Sequence, residues 1–331
     1  MVTSRDVARV AGVSQATVSR ALNQPHLVGA GTREKVLRAL DSTGYVPNAM
    51  AKAMRTSRSG TIGIVSSEIQ NPFLPLLLDE LTKAARQRDV NVVVWNDDTP
   101  EVSMATAGVA SGSVDGLLFT AARSDSPGID ALIARGVPVM LCNRASLDSP
   151  ADVVMSDHRA SGYAAASYFL DHDRRDLAAI FGPRDSFASP ARRAGFRQAL
   201  ADRGVDLPEA RVSEGPTNYE TGYAAALRLL DRGERPEAVF CSSDIIAYGA
   251  LDALRERGVS VPDDVWVASI DGLAMSGWKA FDLTTWQQPV AELAEVAMNL
   301  LLQRIGGRRA ALERIVLPTQ RQTRRSTAWA R

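Results

Sequence analysis

From Thr61 onward, apolar residues fall into short runs that alternate with longer amphipathic stretches. The runs have the length of buried strands, and the stretches between them have the length and periodicity of helices. The strand candidates are residues 62–65, 92–95, 116–120, 137–142, 153–155, 178–181, 238–241 and 265–270. The helix candidates include residues 73–88, 128–135, 160–171, 189–203, 219–232, 245–257 and 289–305. This alternation predicts an α/β fold with parallel sheets and helices on both faces.

The same pattern predicts two similar lobes, connected near residues 156–160 and 285–290. Ligands of open parallel sheets bind at the carboxyl ends of the strands, so the cleft between the lobes is the expected binding site. The helix candidate at 73–81 has more apolar positions than one buried face requires. It can pack against a second copy of the chain or within its own lobe. The sequence favours neither arrangement.

The first 23 residues have a different pattern, that of two short helices joined by a tight turn. Gly12 follows the first helix, where a positive φ is easily accommodated. Ser14 is a natural N-cap for the second helix. The apolar positions expected to be buried are Val7, Ala8, Ala11, Val18, Ala21 and Leu22. This spacing predicts a helix-turn-helix, whose second helix enters the major groove of DNA.

The exposed face of the second helix carries the side chains that would read bases. Arg20 can donate two hydrogen bonds to guanine, and Gln15 can pair with adenine through its amide. Ala16 offers only apolar contact, for instance to a thymine methyl group. Short polar side chains beside them are suited to phosphate oxygens, namely Ser14, Thr17, Ser19 and Asn23.

A third helix is predicted over residues 32–43, capped by Thr32 and ended by Gly44. Its inward positions would be Val36, Leu37 and Leu40. Residues 49–55 are good helix formers, but the segment is too short to be stable alone. The polar residues 56–60 that follow it are typical of a flexible linker.

Charge is distributed unevenly along a chain whose formal net charge is zero. Residues 1–60 carry nine Lys or Arg and three acidic residues, a balance of +6. The rest of the chain therefore has a balance of −6. A basic end on an acidic body indicates one module that binds a polyanion and one that stays away from it.

Composition excludes several other classes of protein. The 331 residues, 45% of them hydrophobic, are enough for two or three globular domains. No apolar run is long enough to span a membrane, and the N-terminus has no apolar signal core, so we expect a cytoplasmic protein. Cys142 and Cys241 lie in apolar runs and are expected to be reduced thiols. With three histidines and no enzyme motif, no metal, cofactor or catalytic residue is predicted.

Several short motifs make the N-terminal segment specific. They are Asp6-Val7-Ala8, Ala11-Gly12-Val13-Ser14, Ala16-Thr17-Val18-Ser19-Arg20, Leu22-Asn23, Thr32-Arg33-Glu34-Lys35-Val36 and Tyr45-Val46-Pro47-Asn48. With these motifs the sequence resembles the LacI/GalR family of repressors, and the similarity extends over nearly the whole chain. The resemblance implies that residues 48–56 fold into a hinge helix only on operator DNA, where paired hinge helices enter the minor groove.

The hinge positions that the resemblance marks are Asn48, Ala51 and Met54. Met54 stands where most family members have leucine, and it keeps an apolar side chain to wedge the central base step. The alternative interpretation of residues 49–55 is a plain linker helix.

The resemblance also implies a set of effector contacts in the cleft. The matching residues are Asn71, Phe73, Asn143, Ser186, Arg192 and Asp271. A guanidinium and a carboxylate can bracket vicinal hydroxyls of a sugar, one donating and the other accepting. Alternatively, Arg192 and Asp271 simply pair with each other across the lobes. Loop capping by Asn71, Asn143 and Ser186, and packing of Phe73 in the cleft wall, remain equally open.

Three positions depart from the family pattern. Ser243 replaces an asparagine frequent in sugar-responsive members, Thr217 replaces an aromatic platform, and Ser269 replaces a glycine. These departures leave the chemical class of the effector open. Asp244 is expected to cap the helix that begins near Ile245.

The domain organisation that follows is a helix-turn-helix domain at 1–46, a hinge and linker at 47–59, and an effector domain of the periplasmic-binding-protein-like fold at 60–331. Its first lobe comprises about 60–156 and 288–314, and its second about 157–287 and 315–328. The chain ends without a leucine heptad tail, so a homodimer is expected.

The predicted function is that of a sequence-specific transcription regulator, a repressor of catabolic or transport genes. A small effector, a sugar or related metabolite, would switch its affinity for palindromic operator DNA. The alternative is a sugar-binding or transport protein without a DNA target.

Overall fold

In the computed structural model, the chain divides after Ser59 into two units, residues 1–59 and 60–331. The structure describes residues 2–45, 58–66, 71–96, 102–120, 127–143, 148–307 and 311–327. Within these ranges, no helix combines the length and the apolar character that crossing a membrane requires.

The first unit is a bundle of three helices. They are α1 (Ser4–Ala11), α2 (Gln15–Asn23) and α3 (Ala30–Thr43), with a 3₁₀ turn at Pro25–Leu27. Val7, Val18 and Val36 come from the three different helices, and all three are fully buried at their contact. The small side chains Ala8, Ala21 and Ala39 fill the space around them, which allows such short helices to pack closely.

The turn between α1 and α2 has the predicted chemistry. Gly12 has a φ of +64°, and Val13 N–H donates to the carbonyl of Ala8 to close the end of α1. Ser14 is the N-cap of α2, and its hydroxyl accepts from the backbone N–H of Thr17 at 3.1 Å.

Two expectations for the third helix are wrong. The helix begins at Ala30 rather than Thr32, because the carbonyl of Gly29 already accepts from the N–H groups of Thr32 and Arg33. Leu37 is 46% exposed. Val36 and Ala39 fill the inward face of α3, so Leu37 lies on its outer face.

The second unit begins with a lobe built on one sheet. Its elements are β1 (Thr61–Ser66), α4 (Phe73–Arg86), β2 (Asn91–Asn96), α5 (Ser103–Ala110), β3 (Gly116–Phe119), α6 (Pro127–Ala134), β4 (Val139–Cys142) and β5 (Asp152–Ser156). A second lobe follows with α7 (His158–Leu170), β6 (Leu177–Phe181), α8 (Ala188–Asp202), β7 (Val212–Glu214), α9 (Tyr219–Asp231), β8 (Ala238–Cys241), α10 (Asp244–Glu256), β9 (Trp266–Asp271) and β10 (Thr284–Gln287). The remaining elements are α11 (Val290–Ile305), β11 (Arg314–Leu317) and β12 (Gln320–Gln322).

The sheet of the first lobe is parallel throughout, with strand order β11-β5-β4-β3-β1-β2. Alternate residues of β1 point to opposite faces: Ile62 and Ile64 pack with α4 and α11, and Val65 packs with α5 and α6. The α4 side chains Phe73, Leu74, Leu77 and Leu81 are buried within this lobe. Leu76 and Leu78 of the same helix are only half-buried, and the packing of these additional apolar side chains against a second copy of the chain stays a prediction.

The sheet of the second lobe has strand order β12-β10-β9-β8-β6-β7. Its strands are parallel except β12, which runs antiparallel to β10 at the edge. The prediction of parallel sheets is therefore incomplete, because β12 returns directly from the neighbouring lobe without a crossover helix.

Residues 314–317 pair with β5. The first lobe thus extends to Leu317 and not to about 314, and the chain crosses between lobes a third time at residues 318–319.

The helices α7 and α8 cross with their backbones in contact. A Cβ on Gly162 would lie 2.0 Å from the carbonyl oxygen of Arg192, and one on Gly195 would lie 1.9 Å from that of Arg159. Only glycine permits so close an approach from both helices. The crossing brings the first turn of α7 against the first turns of α8, which are the parts of both helices that face the cleft.

We predict that Gly195→Ala lowers the free energy of unfolding by at least about 2 kcal/mol, because the added methyl group forces two packed backbones apart. Gly277→Ala is the control, since a Cβ there meets Arg324 only at 3.8 Å and the residue is exposed. The control variant should stay within about 0.5 kcal/mol of the wild type. Urea denaturation measures both changes, and equal midpoints would contradict the close crossing.

Candidate functional site

The outer face of α2 is the first candidate site. Gln15, Ala16 and Arg20 are all exposed, while Val18 and Ala21 of the same helix are buried against α1 and α3. The structure thus presents the three predicted base-reading residues on one accessible surface. The Nε2 of Gln15 donates to the hydroxyl of Ser4 at 2.8 Å, a contact that the sequence did not predict.

The predicted phosphate-contacting residues differ in their surroundings. Ser14 and Thr17 hydrogen-bond each other at 2.9 Å, so each hydroxyl has a structural role besides any contact with DNA. Ser19 is half-buried. Asn23 closes α2, but its side chain lies outside the described residues, as do the hinge positions Asn48, Ala51 and Met54.

The second candidate site is a cavity between the two lobes, at the carboxyl ends of the strands. All six predicted effector residues line it, together with His158, Ala188, Ser189, Thr217, Ser242, Ser243 and Gln288. The cavity has a volume of about 30 Å³. That space is enough for water but far below the several hundred Å³ of a typical ligand pocket.

A buried ion pair lies at the centre of this cavity. Arg192 Nη2 is 3.0 Å from Asp271 Oδ1, and both side chains are about 95% buried. Gln288 Nε2 donates to the same carboxylate oxygen at 2.8 Å. Arg192 and Asp271 therefore do pair with each other. They do not pair across the lobes, because Arg192 in α8 and Asp271 at the end of β9 belong to the same lobe. Asp271 has a φ of +140°, a strained conformation of the kind that is concentrated at binding sites.

His158 is a cavity residue that the sequence analysis did not single out. Its Nδ1 lies 3.4 Å from Arg192 Nη2, and its Nε2 lies 3.3 Å from the carbonyl oxygen of Asn143. A guanidinium can only donate and a carbonyl can only accept, so Nδ1 is the acceptor and Nε2 carries the proton. The ring therefore has the neutral form that these partners require. It connects Asn143 of the first lobe with Arg192 of the second.

Three predicted residues make contacts within their own lobe that stabilise the fold. Asn71 Oδ1 accepts from the N–H of Phe73 at 3.1 Å, which caps the start of α4. Ser186 donates to the carbonyl of Pro183 and accepts from the N–H of Ser189. Phe73 is 2% exposed and packs in the core of its lobe. These contacts leave room for a secondary role in binding, but they already account for the positions of the side chains.

Four other cavity residues carry buried polar atoms without a hydrogen-bonding partner in the protein. These atoms are Asn143 Oδ1, Arg192 Nε, Ser243 Oγ and Gln288 Oε1. Such atoms are rare in folded proteins, because an unpaired buried polar group is costly. Their concentration around one cavity means that the site offers two acceptors, one donor and one hydroxyl to a bound molecule.

Comparisons with known proteins identify the family to which the chain belongs. Residues 3–48 match the model of bacterial regulatory proteins of the lacI family, and residues 166–327 match that of a periplasmic binding protein-like domain. The HTH-type transcriptional repressor PurR of Erwinia tasmaniensis is 33% identical over 328 residues, which are 96% of this chain and 95% of that protein. The chain belongs to the lacI family. This membership confirms the predicted class, a transcription regulator and not an enzyme.

Two solved structures are similar to this chain over nearly its whole length. The lac repressor dimer bound to operator and the anti-inducer ONPF has a TM-score of 0.88 and 27% identity, with 99% of each chain covered. The complex of the transcriptional regulator CelR with cellobiose has a TM-score of 0.74 and 32% identity, with 98% of this chain and 100% of that one covered. The predicted fold class is therefore confirmed.

The position of Asp244 in this lacI-family protein corrects a prediction. Ser243 occupies the N-cap of α10, and Asp244 is fully buried beneath the cavity. Its carboxylate accepts four hydrogen bonds, at 2.5–2.7 Å, from Ser269 Oγ, Thr285 Oγ1, Ser276 Oγ and Leu273 N–H. The departure at Ser269 thus has a structural reason, because its hydroxyl fixes Asp244. The carboxylate ties β9, β10 and the turn at Ala274–Gly277 together behind Asp271.

We predict a pH dependence of stability that originates at Asp244. Burial, with the negative charge of Asp271, raises the pKa of Asp244 to about 6 despite its hydrogen bonds. The folded state then binds the proton more tightly than the unfolded state, whose pKa is near 3.8. The contribution of Asp244 to stability is therefore greatest below about pH 4, and it falls by on the order of 3 kcal/mol as the pH rises to about 6.

Asp244→Asn should remove this decrease, so that the free-energy difference between wild type and variant changes between about pH 4 and pH 6 and is constant above. Urea denaturation across that range measures the difference, with Asp202→Asn, an exposed carboxylate on α8, as the control. Parallel curves for wild type and Asp244→Asn would contradict the raised pKa.

Proposed function

We propose that this protein is a homodimeric repressor that binds palindromic operator DNA in the cytoplasm and is switched by a small, uncharged, polyhydroxylated effector. The effector would bind between the two lobes, with Arg192 and Asp271 at the centre of the site. The regulated genes would be those for uptake or breakdown of the same compound. The set of unpaired polar atoms around the cavity is the observation that carries the effector's chemistry.

Hydroxyl groups match those atoms best. A bound molecule would have to donate to Asn143 Oδ1 and to Gln288 Oε1, and it would have to accept from Arg192 Nε. Ser243 Oγ can donate or accept. A sugar hydroxyl is a donor and an acceptor at once. The charge of Arg192 is already balanced by Asp271 at 3.0 Å, so an ionic effector would leave one charge uncompensated. The cellobiose complex of CelR supports the same class for a related protein.

The size of the cavity supports a switch that works by relative movement of the lobes. A sugar needs more than the 30 Å³ present, so binding would require the lobes to separate and then to close on the ligand. Operator affinity would change because the ligand favours one arrangement of the lobes over the other. The sheets themselves would move as rigid bodies about the three connections at 156–158, 287–290 and 317–320.

Arg20→Ala should weaken binding to the operator by about 1–3 kcal/mol and relax the preference at one base position, since the guanidinium would contact a guanine. The operator can be obtained by selection from random duplexes or from the gene's own upstream region. Arg9→Ala on α1 is the control, because it removes the same charge from a side chain that is 80% exposed and paired with Asp6. Equal sequence preferences in the two variants would refute the assignment of α2 as the reading helix.

Asp271→Ala should abolish the response to the effector and leave operator affinity in the absence of effector unchanged. A thermal-shift screen with neutral mono- and disaccharides, polyols, sugar phosphates and nucleosides would first identify the class that stabilises the wild type. The exposed Asp202→Ala should respond as the wild type does. Stabilisation of Asp271→Ala by the same compound would place the effector elsewhere, and stabilisation by sugar phosphates alone would contradict an uncharged effector.

A further inference from the structure

The hydrogen bond between the first residues of α1 and α2 has a consequence for base recognition. Gln15 Nε2 donates to Ser4 Oγ at 2.8 Å across eleven residues of sequence. We propose that Ser4 is a positioning residue that presets the carboxamide of Gln15 to read adenine and to reject guanine. This inference rests on the proposed function, in which α2 reads the major groove.

The preference follows from the number of donors that remain on the amide. A glutamine side chain has two N–H donors and one carbonyl acceptor. One N–H is used by Ser4, which leaves one N–H and the carbonyl of Gln15. Adenine presents one acceptor, N7, and one donor, the N6 amino group, in the major groove, and this pair matches what remains. Guanine presents two acceptors, N7 and O6, and the tethered amide can satisfy only one of them.

Local hydrogen bonds hold the backbone at both ends of this contact. Thr3 donates to the Asp6 carboxylate from its N–H at 3.0 Å and from its hydroxyl at 2.7 Å, which fixes the first turn of α1 next to Ser4. On the other side, the Ser14 cap fixes the first turn of α2. The Gln15 side chain is otherwise exposed and would have to lose its rotamer freedom on binding. The contact with Ser4 restricts it before DNA arrives.

A different role for Ser4 predicts a different result. Ser4 is half-buried at a helix N-terminus, where a hydroxyl can also donate to a DNA phosphate. Phosphate contacts fix orientation and strengthen binding to every sequence alike. A positioning residue instead changes the preference at a single base pair, and it does so only while Gln15 is present.

The test uses the full-length protein and selection from a library of random DNA duplexes. Gln15→Ala first identifies the base position that Gln15 reads. Ser4→Ala should then lower the preference for adenine over guanine at that position by about threefold to tenfold, the factor expected from about one restrained side chain. Preferences at the other positions should not change. Ser4→Thr, which keeps the hydroxyl, should restore the wild-type preference, and Ser42→Ala on α3 should have no effect.

Ser4→Ala added to Gln15→Ala should have no further effect on that position, since the role of Ser4 depends on the amide. An equal loss of affinity for all sequences would overturn the proposal and assign Ser4 to phosphate. An unchanged adenine preference in Ser4→Ala, or a Gln15→Ala variant that alters no base position, would also overturn it. If the wild type itself selects no motif, the proposed function fails first, which is a distinct result.

Discussion

The guanidinium of Arg192 is a cation with five N–H donors and no acceptor, and it is almost fully buried between two lobes. Such a group is tolerated only where acceptors surround it. Here Asp271, the carbonyl of Ser242 and the neutral ring of His158 do so. These partners come from the ends of β9 and β8 and from the start of α7. The arrangement of the second lobe around the cleft therefore depends on β8, β9 and α7 all placing an acceptor next to the Arg192 guanidinium.

The close crossing of α7 and α8 brings His158 and Arg192 within reach of each other. The carbonyl oxygen of Arg192 is the atom that a side chain on Gly162 would strike. The glycines therefore set the distance at which the guanidinium and the His158 ring meet. Asp244 stabilises the segment below the site. Its four hydrogen bonds fix the turn next to Asp271, which has a strained backbone conformation. The strain at Asp271 is then sustained by the hydrogen bonds of a neighbouring carboxylate.

Local patterns predicted the elements well, and contacts between distant residues account for the errors. The turn at Gly12 and the cap at Ser14 are decided within a few residues, so their sequence is sufficient. Leu37 was misplaced because helical spacing alone cannot say which of two adjacent apolar faces meets α1 and α2. Asp244 looked like a cap since it begins a helix. Its real partners, such as Ser269 and Thr285, are 25 and 41 residues away. The Gln15–Ser4 contact was likewise invisible, because it depends on how two helices pack.

A switch between lobe arrangements needs a ligand that distinguishes them energetically. Moving a population from 1% to 99% of one state requires a difference of about 5.5 kcal/mol. Each buried polar atom without a partner costs about 1–3 kcal/mol, so satisfying three or four of them supplies a difference of that size. Asn143 lies on the first lobe, whereas Arg192 and Ser243 lie on the second. A ligand that satisfies atoms on one lobe only gains none of this free energy from the closing of the lobes. Under the proposed function, the effector would therefore have to contact both Asn143 and the Arg192 side of the cleft.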